Sequence, residues 1–213
     1  MARDASDTRE KLIRAGERLF ASRGVDGALT RDIVAEAGQS NGSAVHYHFG
    51  SRRGLLEAIL VKHVRRMEPA RAEHQRLLER DGLHGELTAV VRGILDPTAD
   101  ALHSGDGRDF LRITAQLAGY AGIRAITPPQ PLTGTVLQHQ LELAVRCCAE
   151  RLSERLARER VATIAGMLAS TLADRARQLD EGGTLLLAHE AFVDNLTRMV
   201  VGALSAPAPQ GGA

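Results

Sequence analysis

The sequence predicts an all-α protein of about nine helices. Helix formers (Ala, Leu, Arg, Glu) dominate while strand-favouring residues are sparse. Apolar residues recur at three- and four-residue steps along most of the chain, and no stretch alternates with the period of a strand.

The first amphipathic segment runs from about Thr8 to Ser22, with Leu12, Ile13, Leu19 and Phe20 on one face. Asp7, with Glu10 three residues on, fits a capping box, and Gly24 and Gly27 end the segment. Thr30 is a suitable N-cap for a short helix that turns Ile33, Val34 and Ala37 inward and stops at Gly38. A second short helix covers about Gly42–His48. A longer one follows Ser51 through Leu55, Leu56, Ile59, Leu60 and Val64, with Pro69 a kink or restart, and reaches about Leu78.

The remaining segments are also helical. They span Leu83–Leu102, with an irregularity at Pro97, then Arg108–Ile123, Val136–Ala157, Glu159–Leu179 and Leu185–Leu204. Pro128, Pro129 and Pro131 make Ile126–Leu132 a loop or extended link. The end of the chain from Ser205 is rich in Pro, Gly and Ala and is expected to be disordered.

Aromatic residues make up 3% of the 213-residue chain and Trp is absent, which argues against stacking platforms for sugars or single-stranded nucleic acid. Net charge is +1, but residues 1–66 carry 12 Lys/Arg against 8 Asp/Glu, and the rest of the chain 15 against 18. A basic head on an acidic body suits a nucleic-acid contact at one end. The adjacent Cys147 and Cys148 have no third cysteine to pair with, and read as small apolar helix residues. Met1–Arg9 is polar, without the apolar stretch of a signal peptide, and no run of 18 apolar residues occurs. A cytoplasmic protein without a membrane span is expected. There is no HExxH, P-loop, GxGxxG or GxSxG motif, so an enzyme is not expected. His46 and His48 stand two apart on a helix, about 200° around its axis, and cannot share a metal. His84, His103, His139 and His189 are scattered in sequence. No metal and no cofactor are expected.

Function concentrates in Thr30–Leu56, TRDIVAEAGQSNGSAVHYHFGSRRGLL. Two short helices joined by a Gly-containing turn form a helix-turn-helix pattern, whose second helix enters the DNA major groove. A reading helix needs small residues to fit the groove and polar groups to address base edges. Asn41, Gly42, Ser43, Ala44 and His46 meet both needs, while Val45 and Phe49 turn inward. Any helical hairpin can show part of this pattern.

The stretch resembles the DNA-binding domain of the tetracycline-repressor (TetR) family. The resemblance rests on Thr30, Ile33-Val34-Ala35, Ala37-Gly38, Tyr47-His48-Phe49, Ser51-Arg52 and Leu55, and covers about residues 8–60. Gly38 to Phe49 is one residue longer than the common family spacing, Gln39 replaces a small apolar residue, and Arg53 stands where an acid is common. The resemblance implies a homodimeric helical regulator with a DNA-binding domain at 1–52, an effector-binding and dimerisation domain at 53–204 and a tail at 205–213. It implies that Arg31 touches phosphate, that Asn41, Ser43, Ala44 and His46 face base edges, and that Tyr47 and His48 reach the DNA backbone. Arg52 is the expected main phosphate ligand.

By the same resemblance, the body should enclose a cavity, with Leu111, Gln116, Leu117, Tyr120, Gln138, His139 and Leu141 as candidate ligand contacts. These could equally be filled core. No charged residue is conspicuous on an inward face, which favours a neutral or amphipathic effector. Ile164, Leu168 and Leu172 on one late helix, and Phe192, Leu196 and Met199 on the next, are the expected dimer interface. The partners expected are a double-stranded DNA operator, a small-molecule effector and a second copy of the chain. The expected function is a ligand-responsive repressor. The alternative is a helical protein-binding adaptor whose helix-turn-helix only packs.

Overall fold

A computed structural model describes residues 2–117 and 132–208. The described residues hold nine α-helices and no strand. They are α1 (Ala2–Arg23), α2 (Thr30–Glu36), α3 (Ala44–Phe49), α4 (Arg52–Arg80), α5 (Leu87–Ala99), α6 (Gly105–Leu117), α7 (Val136–Ala149), α8 (Glu154–Glu181) and α9 (His189–Ser205), with a 3-10 turn at Asp100–His103 after α5. The proline-rich link through Pro131, the extension of the sixth helix past Leu117, and Pro209–Ala213 of the tail lie outside the described residues.

Several helix ends differ from the expected ones for local reasons. Asp7 caps nothing: it lies inside α1 and pairs with Lys11 at 2.7 Å. Leu29, not Thr30, is the N-cap of α2. The break expected near Ala157 falls at Ser153, whose hydroxyl accepts from Leu156 N and starts α8 there. Residues before His189 are not yet helical, because Arg175 reaches from α8 to hold Leu187 O and places its guanidinium 4.7 Å over the Phe192 ring. Pro69 lies inside α4 without ending it, and on an exposed face. Ala206 and Pro207 are tied to Arg160 through their carbonyls, so the tail is anchored where it leaves α9.

Two apolar clusters build the molecule. The N-terminal one gathers Leu12, Phe20, Ile33 and Val45 from α1–α3 with Leu55 and Ile59 from α4 and Ile113 from α6. A division at residue 52 therefore cuts through a packed unit, since the first turns of α4 belong to it. The larger cluster joins α4 to α9 through residues such as Met67, Val91, Leu111, Leu143, Leu172 and Leu196. Cys148 is buried in it, while the half-exposed Cys147 only leans on its edge.

Polar bonds fasten the two units. Glu17 of α1, 1% exposed, accepts from Lys62 Nζ at 2.8 Å and is hydrogen-bonded to His63 Nε2 at 2.9 Å, both on α4. The His63 ring stacks on Phe110 of α6 at 4.5 Å between centroids. Within the body, Arg108 and Arg112 of α6 both bind Asp180 at the end of α8.

Candidate nucleic-acid interface and ligand cavity

α2 presses Ile33 and Val34 into the N-terminal core, and Gly38, at φ +67°, turns the chain out of it. The seven residues from Ala37 to Ser43 separate α2 from α3. That length absorbs the extra residue seen in the sequence. Asn41 Oδ1 accepts from Ser43 N at 2.9 Å, which shapes the turn and leaves the amide nitrogen as that side chain's donor. α3 has six residues and sits on the core through Ala44 and Val45.

This register sorts the expected contacts. Asn41, Ser43, His46 and Tyr47 are exposed, Tyr47 to 79%, and His48 is half-buried with its ring 4.9 Å from that of Tyr47. Arg31 projects from α2 with its side chain 81% exposed. These side chains are all at least partly solvent-accessible on the helix-turn-helix. Ala44 is not: it is 5% exposed and packs inward, because α3 starts at Ala44 and its first turn meets α4. It has no methyl to offer a base.

Arg52 is also engaged differently from expectation. Its Nη1 donates to Val25 O and to Ala28 O, the latter at 3.1 Å, and its guanidinium lies 5.9 Å from the Phe20 ring centroid. It pins the α1–α2 turn to the start of α4. The neighbouring Arg53 is 87% exposed and pairs with Glu57 at 3.0 Å. Ser51 caps α4 by accepting from Gly54 N.

The body forms a half-open cavity of about 480 Å³ between α4, α5, α6, α7, α8 and α9, within the range of small-molecule sites. Leu111, Leu117 and Leu141 line it as expected. Gln138 and His139 do not: Gln138 bonds Gly134 N and Glu142 at the start of α7, and His139 is exposed. Tyr120 lies outside the described residues. Gln116 is turned away to the N-terminal unit. It accepts from Val25 N at 2.7 Å and donates to Phe20 O at 3.1 Å, and so bridges α6 to the last turn of α1 and the start of the turn that Arg52 pins.

Four residues expected at a dimer interface face inward instead. Ile164, Leu168 and Leu172 line the cavity, and Leu172 and Leu196 are 1% and 3% exposed within the protomer. Phe192 is half-buried under Arg175. Met199, 54% exposed, and Met167, 36% exposed, are the apolar side chains that α9 and α8 present outward.

The sequence reading missed Arg71. It lies 1% exposed in the cavity wall, so a charged group does face inward. Burial lowers its pKa to about 10 against the opposing pull of Glu68, and it stays protonated at neutral pH. Elsewhere, two of the histidines that are scattered in sequence meet. His103 and His189 lie 4.3 Å apart between ring centroids, and their donor atoms fall within 4.8 Å of one another and of Asp100. Partial burial and the neighbouring His103 lower the His189 pKa. This cluster is largely exposed and does not line the cavity. Among the described residues no helix is long and apolar enough to cross a membrane.

Comparison with known proteins gives a consistent picture. The family model for bacterial regulatory proteins, tetR family, matches residues 12–59. The HTH-type transcriptional regulators SrpR and TtgW, both of Pseudomonas putida, are each 32% identical over 117 residues, 53% of this chain. The match spans 75% of TtgW but only 47% of SrpR, about half that relative's length. Among solved structures, an HlyIIR variant superposes with a TM-score of 0.54 at 14% identity, covering 91% of this chain and 96% of that one. A γ-butyrolactone receptor described as ArpA-like gives 0.52 at 20%, covering 92% and 98%. A TetR-family regulator from Rhodococcus sp. gives 0.51 at 19%, covering 94% and 100%. At these identities the structural likeness concerns the fold.

Proposed function

Because the chain belongs to the tetR family of bacterial regulatory proteins, we propose that it is a ligand-responsive transcriptional repressor acting as a homodimer on a palindromic operator. The observation that carries this reading is the division of labour along one chain. Asn41, Ser43, His46 and Tyr47 stand exposed on a helix-turn-helix, while the same α4 that anchors it runs on to wall an apolar cavity. Arg31, Tyr47 and His48 contact the phosphate backbone and fix register; Asn41, Ser43 and His46 address base edges. A small molecule in the cavity favours a spacing of the two reading helices that no longer matches successive major grooves, and the operator is released. One protein of the same fold is named a γ-butyrolactone receptor, which supports a small-molecule site in this architecture.

The homodimer of this reading pairs α8 and α9 with their symmetry mates as a four-helix bundle, through the outward Met167 and Met199 and the open edge of Phe192. The deciding experiment is selection of bound sequences from random duplexes, followed by a salt titration. The reading expects a two-fold symmetric site whose affinity falls steeply with salt while the sequence preference persists. Retention of no sequence class at low salt would sink it and leave the adaptor role.

A further inference from the structure

Resting on the reading that the cavity is the effector site, we infer that it takes ligands with an apolar body and an oxygen-acceptor head, a carboxylate or a carbonyl, seated on Arg71. The cavity walls are mainly Leu, Val, Ile and Met side chains, with few polar groups among them. Arg71 is the deepest of these, 1% exposed. Its Nη2 donates to Thr98 Oγ1 at 2.9 Å and contacts Met67 Sδ at 3.5 Å. Its Nε and Nη1 have no hydrogen-bond partner among the described residues. Glu68 Oε1 stands 3.9 Å from Nη1, beyond hydrogen-bond range, and its other oxygen accepts from Val136 N at 2.7 Å.

A buried guanidinium with unused N–H groups is costly unless something accepts from it. An oxygen acceptor entering the cavity supplies what the protein does not. Thr98 does not compete for the ligand, since its hydroxyl hydrogen goes to Ile94 O at 2.6 Å. Glu57, a carboxylate that also lines the cavity, is held by Arg53 and lies 14 residues back along α4, about 21 Å away by helical rise. Glu68 Oε1 is also without a hydrogen-bond partner among the described residues, but Glu68 does not line the cavity, so a cationic head would meet the like charge of Arg71 there and the site selects against amines of the same chain length.

Titration calorimetry with decanoate, 2-decanone and decylammonium tests this on the full chain. Wild-type protein should bind decanoate and 2-decanone at least tenfold more tightly than decylammonium. Arg71→Met should lose at least tenfold in decanoate affinity and abolish that ranking, with circular dichroism confirming its fold. Arg71→Lys, which keeps charge but offers a different donor geometry, should lose most of the 2-decanone affinity. If Arg71→Met fails to fold, the wild-type ranking and the lysine variant decide. Decylammonium binding as tightly as decanoate, or a folded Arg71→Met with the ranking intact, overturns the inference. Sequence-selective DNA binding is scored separately. Selective DNA binding with no head-group ranking overturns this inference alone, whereas the ranking without selective DNA binding supports it and overturns the repressor reading.

Discussion

Replacing Arg52 by alanine separates two roles that one arginine at a helix start could hold. The guanidinium donates to Val25 O and Ala28 O and sits near the Phe20 ring, with its side chain 34% exposed. A hydrogen bond from a charged donor contributes about 1.5–3 kcal/mol, and partial exposure puts each of these at or below the lower end. The ring contact adds about 0.5 kcal/mol. The loss is therefore about 2–3 kcal/mol. For a chain of this length each kcal/mol moves Tm by about 2–4 °C, so the variant should melt about 5–10 °C lower. DNA affinity should fall because the α1–α2 turn slackens, and Arg52→Lys, which cannot span both carbonyls, should rescue neither property. The assay is thermal unfolding by circular dichroism beside a salt series of operator binding. An unchanged Tm, with a salt slope shallower by about one unit and full rescue by lysine, would refute the pinning role and return Arg52 to phosphate.

Gln116→Leu removes both bonds from α6 to the N-terminal unit; it should cost about 1–2 kcal/mol and leave DNA binding intact while blunting release by any cavity ligand, read by fluorescence anisotropy of labelled operator. Met199→Glu places a charge on the exposed face of α9; sedimentation should show monomers with native helicity, and a dimer unaffected at micromolar concentration would move the interface elsewhere. The lowered pKa of His189 means that the unfolded chain binds the proton more tightly, so its contribution is present above about pH 6.5 and is lost as pH falls through the folded value. Tm should accordingly drop faster below pH 6.5 in the wild type than in His189→Asn; parallel curves would contradict this.

How much could be read from the sequence varied with the kind of question. The nine helices of the described residues and the inward face of Val45 follow from periodicity, because helical phase is a local property. Ala44 was misplaced because the phase of a six-residue helix depends on its first residue, and the turn before it is long. Leu172 and Leu196 have the same spacing as outward residues; periodicity identifies an apolar face but not which neighbour covers it. Gln116 finds its partners 91 and 96 residues away in the chain, beyond any local signal. Arg71 did leave a trace. Val64, Met67, Arg71, Gln75 and Leu78 are all buried and spaced by three or four, so an arginine occupied a core position among other arginines that were solvated.

The 29 residues of α4 make a rod about 43 Å long, with the helix-turn-helix at its start and cavity-lining residues along it from Arg53 to Arg71. Pro69 lies about 26 Å from the start of that rod, and at that point the backbone lacks an amide hydrogen. A bend of about 10° there would swing the far end by about 4.5 Å, and a two-fold axis would apply the swing twice. Two grooves on one face of a duplex are about 34 Å apart, so the change would exceed what a side chain can follow. The mechanical advantage lies in the length of the lever rather than in the size of the disturbance. On the proposed reading, a ligand that shifts Arg71 and its neighbours only slightly would produce a large displacement where the helix-turn-helix meets DNA.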